Sequence, residues 1–191
     1  MDEAAVEDRS LAGGAYEPAD LGSAIREGGE SDMRMSELLD PRAVVAELKA
    51  KSKKEVLEEL CDRIVELHPG LDRDRIVGIL LDREKLGSTG VGEGVAIPHG
   101  KLGDLNRLIA CFGRSVQGLD FQAVDRMPVR LFFLLLAPEN SAGLHLKALA
   151  RISRLLKRPS LREELLGARN REEIFSILTR EDAEESHVPG G

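Results

Sequence analysis

The chain has 191 residues and a mass of 20.9 kDa. It is 42% hydrophobic with no Trp and only 3% aromatic residues, so one core built from Leu, Ile, Val and Ala is expected. Its longest apolar run, Leu131 to Ala137, is far short of the roughly 20 residues that a membrane-crossing helix needs, and the acidic opening lacks the basic and apolar regions of an export signal. A cytoplasmic protein is therefore expected, with Cys61 and Cys111 as reduced thiols.

Nine acids and two bases in residues 1–32 account for the whole formal net charge of −7. That stretch contains five glycines and lacks a sustained apolar period, so it reads as a disordered acidic tail; translation starting at Met33 or Met35 is the alternative. Residues 33–180 form the expected domain and hold four more bases than acids, and residues 181–191 read as a second acidic tail. The basic excess is spread out and has no interleaved aromatics, which argues against nucleic acid and suits an acidic protein partner or a small anion.

The apolar stretch at 43–48 predicts a first strand. Ser52 and Glu55 have the spacing of a capping box before Leu57, Leu60, Cys61 and Ile64 at helical intervals, which predicts a helix running to about His68. Asp72 is placed to cap a second helix through Ile76, Leu80 and Arg83, ending before the glycine-rich stretch at Gly87. Strands are predicted at 108–114 and 129–136, the second apolar enough for burial on both faces. A longer helix at 143–157 and shorter ones at 161–166 and 171–178 complete an α/β sandwich.

Chemistry concentrates between Gly87 and Lys101. Four glycines among residues 87–94 free the backbone to aim N–H groups at one point, so Gly87, Ser88, Thr89 and Gly90 are candidate phosphate ligands. A glycine-rich connection without a ligand is the plain alternative. The spacing fits neither a Walker A loop nor a dinucleotide fingerprint. His99 lies between Pro98 and Gly100, so its imidazole is held on a constrained backbone with room beside the ring. A neutral imidazole is a competent nucleophile toward a phosphoryl group near pH 7, with Arg83 and Lys101 as candidate cations; a hydrogen-bonded surface histidine is the other reading. His145 precedes Leu149, Ile152 and Leu156 at i+4, i+7 and i+11, which places it on a buried helix face, either as a core residue or as a second imidazole brought to His99. No metal-ligand spacing and no Gly-x-Ser-x-Gly nucleophile motif is present.

The run Arg83-Glu84-Lys85-Leu86-Gly87-Ser88-Thr89-Gly90-Val91-Gly92-Glu93-Gly94-Val95-Ala96-Ile97-Pro98-His99-Gly100-Lys101 resembles the signature of enzyme IIA of the bacterial phosphoenolpyruvate phosphotransferase system, in its fructose/mannitol and nitrogen-regulatory class. Gly118-Leu119-Asp120-Phe121, Leu131 to Pro138 and His145-Leu146-Lys147-Ala148-Leu149 follow in the order that family shows. The resemblance implies a mixed β-sheet flanked by helices. It implies that His99 is phosphorylated by the carrier HPr or its nitrogen-branch counterpart, with His145 as the neighbouring histidine, Arg83 beside the site and apolar surface where the carrier docks. It implies neither a metal nor another cofactor. Two roles remain: a nitrogen-regulatory protein acting through phosphorylation-dependent binding of target proteins, or a sugar-transport component passing phosphate to an enzyme IIB. The chain has no IIB-like cysteine loop and no membrane segment, which favours regulation.

Overall fold

The computed structural model describes residues 33–185, with side chains described through residue 180; the expected tail at 1–32 lies outside the described residues. The chain enters through a short helix α1 (Met35–Leu38) and a 3-10 turn at Pro41–Ala43, where Asp40 accepts a hydrogen bond from the Arg42 N–H at 2.8 Å. Strand β1 is only Val44–Val45, shorter than the predicted 43–48. Ala43 is taken by the turn, and beyond Ala46 a single backbone contact, Leu48 N–H to Arg114 O at 2.7 Å, keeps the chain beside the sheet.

Helices α2 (Lys53–Leu67) and α3 (Arg73–Lys85) start where their caps predict. Ser52 accepts from Glu55 N–H, and Asp72 accepts from Arg75 N–H. The Glu55 carboxylate, however, takes the Lys51 N–H at 2.8 Å, one residue earlier than the reciprocal bond of a standard capping box.

The glycine-rich stretch holds three short strands that the sequence reading missed: β2 (Gly90–Gly92), β3 (Val95–Ala96) and β4 (His99–Leu102). Gly92, Glu93 and Gly94 have φ of 96°, 54° and 76°, a left-handed turn that folds β2 back on β3, so glycine here builds a hairpin within a sheet. β5 (Ile109–Leu119) and β6 (Val129–Pro138) follow, then α4 (Ala142–Leu156), α5 (Pro159–Gly167) and α6 (Arg171–Glu185). Pro159 opens α5 two residues before the predicted start, at the position where a missing N–H is harmless. α6 continues seven residues beyond the predicted end at 178.

The six strands form one mixed sheet in the order β1-β5-β6-β3-β2, with β4 also beside β6. β6 is antiparallel to β5 and parallel to β3 and β4, which lie along the same edge of β6 on either side of Ile97 and Pro98. Along β6, Leu131, Phe133 and Leu135 face a core shared with α4, α5, α6 and α1, whereas Phe132, Leu134 and Leu136 face a core shared with α2 and α3. Each face is anchored by one edge-to-face aromatic pair, Phe112 with Phe133 at 6.0 Å and Phe121 with Phe132 at 5.4 Å between centroids. Burial on both faces is what the unbroken apolar run in β6 predicts. Gly113 of β5 admits α2 closely: a Cβ there would lie 2.8 Å from Leu60 and 2.9 Å from Leu48 side-chain carbons.

Candidate functional site

His99 sits where the sheet loses a neighbour. Ile97 N–H still bonds to Thr89 O at 2.9 Å, tying the chain to the segment entering β2. Pro98 has no N–H to give, and its carbonyl accepts only from β6, at Leu135 N–H, 2.9 Å. From His99 onward β4 pairs with β6 alone, so the ring emerges at a free edge, half-buried against α3.

The ring's tautomer follows from its partners. Nδ1 lies 2.8 Å from the Ile97 carbonyl oxygen, which can only accept, so Nδ1 carries the hydrogen. Nε2 faces the Arg83 Nε–H at 3.2 Å and therefore presents its lone pair. Burial lowers the pKa of His99, and the Arg83 charge lowers it further against the opposing pull of the Ile97 carbonyl and Glu84. The ring is thus neutral near pH 7, with an unprotonated Nε2 aimed at a cation.

Arg83 lies in the last turn of α3 and is pinned twice, by Nε on His99 and by Nη1 on Gly87 O at 2.9 Å. His145 lies in the first turn of α4, buried, with its ring centroid 5.5 Å from that of His99 at an interplanar angle of 60°. Both sequence readings of His145 hold at once: it lies on the buried helix face, and it reaches the other imidazole. Its Nε2 is buried without a hydrogen-bond partner. Such an atom is costly unless a ligand satisfies it.

Burial, with the His99 ring and Lys101 adding to it, lowers the His145 pKa from 6.5 to about 4. Between those values the unfolded chain binds the proton and the folded chain does not, so stability is complete above pH 6.5 and declines as pH falls toward 4. This ring accounts for about 3 kcal/mol of that decline. Urea unfolding of wild type and His145→Gln across pH 4–7 is expected to show a slope shallower by about one proton in the variant. Parallel curves would remove His145 as the cause.

The glycine loop does not form the cradle expected of Gly87, Ser88, Thr89 and Gly90. Gly87 N–H bonds to Glu84 O at 3.2 Å, Thr89 N–H to the Glu84 carboxylate at 3.1 Å, and Gly90 N–H to Ser88 Oγ at 3.1 Å. Ser88 Oγ in turn donates to Phe121 O at 2.9 Å. Three of the four N–H groups are thus bonded within the protein, and the anion the loop holds is its own Glu84. Lys101 is exposed on β4 and reaches the site through its charge on His145. The sequence reading assigned no role to Glu84 or Lys53. The available signal is that Glu84 continues the buried row of Ile76 and Leu80 at i+4 intervals, an acid on an apolar stripe. Among the described residues, no cluster of three His, Cys, Asp or Glu forms a metal site, and no helix is long and apolar enough to cross a membrane.

Comparison with known proteins agrees with this geometry. Residues 37–181 match the family model described as phosphoenolpyruvate-dependent sugar phosphotransferase system, EIIA 2. A nitrogen regulatory protein of Bradyrhizobium diazoefficiens is 45% identical over 146 residues, covering 76% of this chain and 95% of that protein. The fructose-specific EIIABC component of Bacillus subtilis is 35% identical over 150 residues, covering 78% of this chain but 24% of its own length. The crystal structure of nitrogen regulatory protein IIA-Ntr from Neisseria meningitidis superposes with a TM-score of 0.70 at 38% identity, covering 75% of this chain and 97% of that one. The mixed sheet with helices on both faces is therefore the enzyme IIA fold, and this chain belongs to the EIIA type 2 family of the phosphoenolpyruvate-dependent phosphotransferase system.

Proposed function

We propose that this chain is a cytoplasmic phosphocarrier that accepts a phosphoryl group on His99 Nε2 from HPr or its nitrogen-branch counterpart, and that its main role is nitrogen-regulatory. The observation that carries the reading is the unprotonated Nε2 set 3.2 Å from Arg83 Nε, with the His145 ring, whose own Nε2 is unpartnered, 5.5 Å away between centroids. The His99 lone pair attacks phosphorus in line. The new N–P bond forms as the N–P bond to the donor histidine breaks, and that electron pair returns to the donor ring. Arg83 then moves from ring nitrogen to phosphoryl oxygen, supplying the positive charge such a transfer needs. His145 Nε2 gains a partner in the same oxygens if it carries the hydrogen.

Exposed Leu86 and Leu144 stand next in sequence to Gly87 and His145, an apolar rim suited to a docking carrier. The regulatory role is supported by the 45% identity to a relative named nitrogen regulatory protein that aligns over nearly its full length. A sugar role, passing phosphate to an enzyme IIB, keeps support from the fructose-specific relative, of which the matched region is only a part.

Incubation with phosphoenolpyruvate, enzyme I and either carrier, read by intact mass, is expected to show one acid-labile phosphate, gained faster from the nitrogen-branch carrier. Faster uptake from HPr followed by transfer to a sugar-specific IIB would reverse the ranking. No adduct from either would reject the phosphocarrier reading.

A further inference from the structure

Resting on the reading of His99 as phosphoryl acceptor, we propose that Glu84 is a positioning residue of the transfer site: through Thr89 it anchors the 87–90 loop, and through the Gly87 carbonyl that loop holds Arg83 on His99. Arg83 and Glu84 are adjacent in α3 and, about 100° apart around the helix, point to different sides. The Glu84 side chain is 4% exposed. It accepts from Thr89 N–H at 3.1 and 3.2 Å, from Thr89 Oγ1, and from Lys53 Nζ at 3.0 Å. Lys53 also donates to Gln122 Oε1 at 3.0 Å and lies 4.7 Å over the Phe121 ring. The carboxylate therefore joins the N-terminus of α2, the end of α3, the glycine loop and the segment after β5.

Gly87 O is the second fixed point of the Arg83 guanidinium, at 2.9 Å, and it lies two residues from the anchored Thr89. Gly87 N–H bonds to Glu84 O at 3.2 Å and Ser88 Oγ to Phe121 O at 2.9 Å, and the Glu84 carboxylate on Thr89 adds the fixed point on the far side of the Gly87 carbonyl. If the anchor loosens, Arg83 keeps its charge but loses its aim, and small misplacements of a charged clamp are expensive in transfer reactions. The Lys53 contact also pairs the charge of a carboxylate that stands next in sequence to Arg83, the cation proposed to receive the phosphoryl oxygens.

Glu84→Gln retains the shape, but its amide must turn an N–H₂ toward either the Thr89 donors or Lys53, so one contact is lost. The expected result is a folded protein whose phosphoryl uptake is about 10-fold to 100-fold slower. Arg83→Gln should slow uptake comparably, and the double variant Arg83→Gln/Glu84→Gln should be no slower than Arg83→Gln alone, because coupled residues have non-additive effects. Wild-type uptake in Glu84→Gln, or a double variant slowed by the product of the two single effects, would overturn the proposal. Thr89→Ala removes one donor only and is expected to slow uptake in the same direction by less, so it serves if Glu84→Gln fails to fold; an unchanged rate there also counts against the idea. A readout independent of any phosphoryl donor is the Arg83 Nε–H resonance, expected to exchange slowly with solvent in wild type and quickly in Glu84→Gln. If wild type takes up no phosphate, the phosphocarrier reading fails by itself. Unchanged slow exchange in Glu84→Gln overturns the anchoring.

Discussion

His99→Ala is expected to abolish phosphoryl uptake, with no acid-labile adduct detectable by intact mass under conditions that label wild type fully. Phosphoryl transfer without a metal needs a nucleophile with a free electron pair and a cation to receive the equatorial oxygens. In this site the Ile97 carbonyl fixes the hydrogen on Nδ1, leaving His99 Nε2 as the atom that faces Arg83. The neighbouring imidazole does not substitute for it, because His145 Nε2 is buried and its ring lies 5.5 Å away. His145→Ala is accordingly expected to remain phosphorylatable while passing the group on poorly. Uptake by His99→Ala together with none by His145→Ala would exchange the two roles.

Arg114→Met is expected to lower stability by about 3 kcal/mol or more, because a single buried guanidinium holds four carbonyls together. Arg114 of β5 is 5% exposed. Its Nε donates to Ala46 O at 2.9 Å, and its Nη1 reaches Leu165 O, Leu166 O and Ala168 O at 3.0, 3.2 and 2.5 Å. The last three lie at the C-terminal end of α5, where carbonyls have no intrahelical donor and concentrate negative charge. Methionine fills the space but leaves those acceptors buried and unpaired. Urea unfolding should show a lower midpoint with an unchanged m-value; a loss below about 1 kcal/mol would mean that water replaces the guanidinium at these carbonyls.

Helix starts were legible because a cap is a local device: Ser52 and Asp72 act on N–H groups three residues away in sequence. The β6 core run was equally legible from its unbroken apolarity. The strands at 95–96 and 99–102 were not, because they pair with β6 residues more than thirty positions further on, and β2 joins the sheet only through β3. In isolation, four glycines read as a connection or an anion nest. The nest reading failed for a related reason. Which acceptor takes the loop's N–H groups depends on the Glu84 carboxylate, and the position of that carboxylate depends on Lys53 in another helix.

The sequence by itself determined the kinds of chemistry available: a histidine constrained by proline and glycine, an arginine and a second histidine at helix ends, and an apolar strand able to serve two cores. It also determined the family, because the run from Arg83 to Lys101 is long and specific. Only the tertiary structure decided which nitrogen of His99 is free, that His145 reaches it, and that the loop's anion is internal. The facing of His99 by Arg83 and by His145 spans 16 and 46 residues of sequence, and although the Ile97 and Thr89 contacts are local, the Glu84 carboxylate is paired by Lys53 from another helix. Hydrogen bonding and charge act over a few ångströms of space, and only packing the helices against the sheet brings those groups within reach.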